Sequence, residues 1–231
     1  MTVLQKYALA GAALFGIATV VLGVIMLFVF PSEATLAEGF RTPIIAFEFA
    51  ESEADLAFLS GTDASSRANR AMMDAGHRWD MVFPFAYAGF IALLLLHLAA
   101  RGHRWLWLAI PVAVLIIPLD IRENLVLTAI TRALENGETI AHLLRELHNA
   151  TWLKWGAMGA SLAALTLGLG ADKAYVSALV SAVAALSIAA CWLSGSAGSA
   201  AEMMSAATAL FFLYFTVRAI VQWRRLAQST A

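Results

Sequence analysis

Cysteine is almost absent from this chain: Cys191 is the only one in 231 residues. No disulfide can close within the chain, and no cysteine-ligated metal centre can form. Charge is scarce as well. Charged residues make up 13% and hydrophobic ones 61%, where a soluble domain has about 25% and about 45–50%. The net charge of −1 lacks the basic footprint of a nucleic-acid partner. The familiar catalytic signatures are missing too: there is no GxSxG, P-loop or Rossmann fingerprint. HxxxH and HExxH pairs are also lacking. His77 and Asp80 are three residues apart, and His142 and His148 six apart. A zinc site that hydrolyses a lipid amide or ester is conceivable from these groups but lacks ligand spacing, so no metal is expected. Nor is there an internal repeat to suggest an inverted-repeat transporter.

What the chain does have is long apolar runs, with a mean hydropathy of +0.77. Six stretches, at about 7–30, 80–100, 105–130, 150–170, 174–194 and 200–222, approach the ~20 residues that cross a bilayer. Residues 7–30 are too long for the apolar region of a signal peptide and read as a retained span. The expected fold is therefore a single all-α domain, an integral membrane bundle of six transmembrane helices. Placing the N-terminus inside gives the inner face Lys6, Arg101, Arg104, Lys173, Arg218, Arg224 and Arg225 against Asp172 alone. The outer half then holds eight basic and fifteen acidic residues. The positive-inside rule favours this orientation, with both termini cytoplasmic. Tyr7, Trp105, Trp107, Tyr175 and Trp223 fall at inner ends, and Trp79, Trp152, Trp155 and Trp192 at outer ends, as an aromatic belt would. Pairs such as Ala12/Gly16, Gly156/Ala160, Gly159/Ala163, Ser177/Ser181 and Ser181/Ala185 suit close helix packing.

Residues 31–79 would lie outside as a partly helical lid. Ser52 and Asp55 resemble a capping box that opens a short helix, which Gly61 could close. Ser65 or Ser66 could cap a second helix running into the second span.

The chemistry concentrates at Asp120-Ile121-Arg122-Glu123-Asn124. Asp120, Glu123 and Asn124 share one helical face. Charge inside a span costs roughly 2.5–3.5 kcal/mol per group on insertion scales and marks a candidate site. Asp120 lies fifteen residues beyond Trp105, about 22 Å along a helix, which places it in the outer half. Asp80, Lys154 and Glu202 enter from the same side. Lys154, Met158 and Ser161 form one stripe with Thr151 beside it, and Asp120 or Glu123 is the natural partner of Lys154. Pro84 and Pro118 each remove a backbone donor near these groups, and Pro118 should kink the third span. Against a functional reading stands a plain one: the ion pair fixes helix register and nothing more. Glu202 reads as a first-turn acid favoured by the helix dipole, His97 as a packed interior histidine, His103 as a loop residue, and Arg122 as pointing away from Asp120.

Phe47-Glu48-Phe49-Ala50, Asp80-x-x-Phe83-x-x-x-Tyr87, Asp120-x-x-Glu123-Asn124 and Lys154 occur in this order. The set resembles an uncharacterised family of small bacterial multi-pass membrane proteins with FE(L/F)A, DxxFxxxY and DxxEN motifs. The resemblance covers about residues 40–160, with Phe49 standing where leucine is expected. It implies a bacterial inner membrane and a site that includes Glu48 on the lid, and it implies no particular reaction. Asp80, Asp120, Glu123 and Lys154 are the candidate acid–base groups. Tyr87, Asn124 and Glu48 are the candidate ligand-binding groups. Besides the bilayer, the expected partner is a lipid or amphiphile, bound or modified in an outward-facing pocket. The alternatives are a proton- or cation-coupled carrier and a structural membrane protein.

Overall fold

Continuous apolar sequence without internal glycine pairs or turn residues folds as long helices, and long helices dominate this structure. The computed structural model describes residues 2–228. Among them, α1 spans Val3–Val29, α2 Pro43–Glu48, α3 Ala57–Ser60, α4 Ala64–Asp80 and α5 Phe83–Ala99. After these come α6 at Ala109–Asn136, α7 at Ala141–Ala171, α8 at Tyr175–Leu193 and α9 at Gly198–Gln228. Short 3-10 turns cover Glu53–Leu56 and Arg104–Leu108. No strand occurs among the described residues.

Five stretches are long and apolar enough to cross a membrane: Val3–Val29, Ala64–Ala99, Arg104–Asn136, Tyr175–Leu193 and Gly198–Leu226. The fourth expected span lies in α7, which is not among the five. Its glycines and alanines and the charge of Lys154 keep its hydropathy lower than that of its neighbours. The six long helices nevertheless form a closed ring. α1 packs on α9 and α5, α5 on α6, α6 on α7, α7 on α8, and α8 on α9.

The apolar interior is divided in two. One core fills the ring with Phe90, Ile91, Leu95, Phe211 and Phe215. The other, around Phe47, Leu56, Leu59, Met73, Leu127 and Leu147, lies where α4, the end of α6 and the start of α7 extend beyond the ring. Helices of 28 and 31 residues reach about 42 and 46 Å, more than the ~30 Å of a hydrocarbon core, so the overhang needs a core of its own.

Residues 31–63 pack over this end. The Ser52–Asp55 capping box is present, with Ser52 N–H donating to Asp55 Oδ2 at 2.8 Å. Gly61 closes the helix that follows. The second cap falls two residues earlier than expected, because Asp63 rather than Ser65 or Ser66 begins α4. Asp63 accepts the Ser66 hydroxyl at 2.7 Å and the Ser66 N–H at 3.0 Å. Those donors, the hydroxyl first, lower the Asp63 carboxyl to about 2.

Two connections escaped the sequence. Asn69 and Arg70 on α4 donate to the carbonyls of Phe58 and Leu59 and so close the C-terminus of α3. Glu202 accepts the N–H groups of Arg41 and Thr42 at 2.9 and 2.7 Å and the Thr42 hydroxyl at 2.8 Å. Glu202 therefore clamps the start of α2 to α9, which is more than a helix-dipole role. Gly39, with φ of +84°, lets the chain press against the backbone of Gly198 and Ser199 just before this clamp.

Small residues do not all serve packing. A Cβ on Gly16 would meet Thr216 and Phe90, and Ser181 donates to the Leu162 carbonyl at 2.9 Å. Gly156 and Ala160 are exposed instead, and a Cβ on Gly156 would meet nothing within 4 Å. Pro118 sits within α6 without dividing it.

Candidate functional site

The helical stripe read on α7 presents Thr151, Lys154 and Met158 to the interior, and all three are buried. Opposite them, α6 contributes Asp120, Glu123 and Asn124, α5 contributes Tyr87, and Glu48 is the last residue of α2. Lys154 Nζ lies 3.0 Å from Glu48 Oε2 and 3.4 Å from Asp120 Oδ1, and it also pairs with Glu123 Oε2. The lysine thus has three carboxylate partners, where the sequence proposed one of two. Tyr87 donates its hydroxyl to Asp120 Oδ2 at 3.0 Å. Thr151 donates to the Glu48 carbonyl at 3.2 Å, which pins the end of α2 to α7.

Asp80 completes the set from the junction of α4 and α5. Its charged neighbours are Asp120, Lys154 and Glu48, and it makes no ion pair among the described residues. The Asn124 amide is beside it, yet neither its nitrogen nor its oxygen closes a hydrogen bond of normal geometry. Glu48, Asp80, Asp120, Glu123, Asn124 and Lys154 are all between 0% and 8% exposed. Water therefore does little to screen their charges.

A cavity of about 400 Å³ opens above this cluster, within the size range of small-molecule sites. Glu48, Asp80, Asp120, Lys154 and Tyr87 form its polar floor. Its walls are mostly apolar and come from α1, α2, α7 and α9, including Met26, Leu27, Ile44, Met158 and Phe212, with the Ser205 and Thr208 hydroxyls among them. Arg41, an exposed residue, stands at the rim. Four carboxylates around one lysine and a tyrosine can hold or pass protons, and the walls can take a hydrocarbon chain.

All seven residues picked from the sequence therefore meet at one place. The sequence reading missed Trp155, which donates Nε1 to Glu48 Oε2 at 3.3 Å and places its ring 5.1 Å from Lys154 Nζ. Trp155 is buried and does not belong to an aromatic belt at the surface. Its position beside Lys154 was the available signal, and belt residues give the same one. The walls from α1 and α9 left no signal at all, since their residues match any apolar span.

The histidines stand apart from the cluster. His77 is buried between the rings of Phe30 and Phe47, with centroids at 5.6 and 5.8 Å, and neither ring nitrogen has a partner. It packs behind the cavity wall rather than joining Asp80. His97 contacts the Gln5 carbonyl through Nδ1 at 3.1 Å, and His103 contacts Asp172 at 2.8 Å. Arg122 points outward to Glu146 at 3.2 Å. Compared with known proteins, the chain matches no family model, no curated protein and no solved structure.

Proposed function

We propose that this chain is a six-span protein of a bacterial inner membrane, with both termini cytoplasmic, whose outward-facing pocket binds or modifies a lipid or amphiphile. The observation that carries this reading is the cavity, which joins a charged floor to apolar walls. A molecule with a polar head and a hydrocarbon tail satisfies both halves. The place of α7 in the ring, between α6 and α8, supports counting it as the sixth span. Residues 31–63 then act as a lid, since Glu48 reaches from α2 onto Lys154. Leu27 and Ala209 line the cavity while facing outward. The gap between α1 and α9 would thus lead sideways into the hydrocarbon layer, the route an amphiphile needs. Buried carboxylates beside a lysine suit proton transfer to a bound head group.

A carrier needs a path to the opposite face. Buried and half-buried polar groups do exist there: His97, and Arg218 with Ser177 and Tyr214. Between them and the cavity the rings of Phe90, Phe211, Phe212 and Phe215 stack through the bundle. This favours binding or modification over passage.

The test is lipid content. Gly23 lines the cavity, and a Cβ there meets nothing within 4 Å, so Gly23→Leu can fold while narrowing the mouth. Organic extracts of the purified wild type should hold a stoichiometric amphiphile that Gly23→Leu lacks. Equal extracts, together with an unchanged membrane lipid profile in a deletion strain, would sink the reading.

A further inference from the structure

The site carries a charge imbalance that points to the chemistry of its ligand. Glu48, Asp80, Asp120 and Glu123 are four buried carboxylates, and Lys154 is the only buried cation among them. An ammonium has three N–H donors. Lys154 donates to Glu48 and Glu123 and lies 3.4 Å from Asp120, and it makes no ion pair with Asp80. The Tyr87 hydroxyl is given to Asp120. Asp80 lines the cavity, is 8% exposed, and receives no hydrogen bond of normal geometry among the described residues. Beside it the fully buried Asn124 amide is its one polar neutral neighbour, close enough to act on the carboxylate though outside ordinary hydrogen-bond geometry. A buried carboxylate held only by so weak a contact is costly.

An anionic head group would meet four carboxylates and a lysine already engaged, with a cation only at the solvent-exposed rim, Arg41. A neutral one would leave the charge to be balanced by protons on the carboxyl groups alone. No three His, Cys, Asp or Glu side chains among the described residues converge to hold a metal ion. A protonated amine supplies what is missing: positive charge and N–H donors, which the Asp80 carboxylate can accept.

We propose that the ligand is an amphiphile bearing a primary ammonium group, seated against Asp80 with the Asn124 amide behind it and its hydrocarbon chain leaving between α1 and α9. This rests on reading the cavity as an amphiphile site. The same chemistry can come from an aminophospholipid of the bilayer or from a free long-chain amine.

Binding to the purified full chain in a neutral maltoside detergent tests the proposal, read as thermal shift and as apparent Kd for dodecylamine, dodecanol, dodecanoate and propylamine. Nanodiscs of phosphatidylcholine with and without phosphatidylethanolamine separate the two sources: stabilisation by the ethanolamine lipid marks the bilayer, and its absence with dodecylamine still bound marks a free amine. Dodecylamine should bind at least about tenfold more tightly than dodecanol, the difference one charge-assisted contact makes, and dodecanoate should bind weakest. Asp80→Asn should abolish the preference while dodecanol still binds. The wild-type panel stands on its own if that variant fails to fold. Equal binding of dodecylamine, dodecanol and dodecanoate would overturn the amine proposal and leave the pocket reading intact. Propylamine matching dodecylamine would remove the hydrocarbon chain from both. No binding by any of the four, in wild type and Gly23→Leu alike, would remove pocket and proposal together.

Discussion

Lys154 is the residue on which the site depends. It holds three carboxylates from two elements, Glu48 of α2 and Asp120 and Glu123 of α6. Removing one partner of a buried pair commonly costs about 3–5 kcal/mol. Lys154→Met should therefore lower the melting temperature more than any single carboxylate change. Asp120→Asn should cost less, since Tyr87 still donates to that side chain and Lys154 keeps two partners. Adding Glu123→Gln to Lys154→Met should recover part of the loss, because the two residues act as one unit. Melting curves of these three variants and of Glu123→Gln alone, in detergent, check this, and strictly additive losses would show that Lys154 and Glu123 are not coupled. Glu123→Gln alone conserves shape, so its expression should stay near wild type while ligand binding or turnover falls.

Among the elements, α2 is packed by Ile45 and Phe47 into the two cores and pinned at both ends by polar contacts. Glu202 fixes its start to α9, and Thr151 and Lys154 fix its end to α7. Glu202→Ala should free the N–H groups of Arg41 and Thr42, which would show as faster hydrogen exchange at those two residues. The six long helices should keep their protection, because their own hydrogen bonds are untouched. The contrast among glycines is equally specific. Gly16→Leu forces a side chain into Thr216 and Phe90 and should destabilise the α1–α9 contact by about 1–3 kcal/mol. Gly156→Leu faces open space and should leave thermal stability near wild type. The Asp63 cap adds a pH signature. Its carboxyl is lowered to about 2 when folded, against about 3.9 unfolded. Its contribution is present above the unfolded value and lost as pH falls through the folded one. Exchange at the first turn of α4 should therefore rise between about pH 4 and 2, and Asp63→Asn should remove that dependence.

For the whole molecule, orientation is the decisive property. In a Cys191→Ala background, single cysteines from Ser65→Cys, Glu138→Cys and Arg104→Cys occupy exposed positions. An impermeant thiol reagent on intact cells should label the first two and miss the third. Labelling of the Arg104 site alone would reverse the arrangement and turn the cavity toward the cytoplasm.

Composition and periodicity determined the all-helical class with helices long and apolar enough to cross a membrane, because apolar runs of this length have few other folded states, and they also brought out the DxxEN face, because charge within such a run is conspicuous. The Ser52–Asp55 box was legible for the same local reason: a cap depends on neighbours within one turn. Length and hydropathy qualify five stretches to cross a membrane and leave α7 out, since α7 dilutes its apolar residues with glycine, alanine and Lys154. The tertiary structure alone decided which carboxylates surround Lys154, that Glu202 clamps α2, that His77 lies among aromatic rings, and that Trp155 belongs to the site. Those contacts join residues 30 to 161 positions apart. Helical spacing assigns a side chain to a face of its own helix, and only the packing of the ring sets what that face meets.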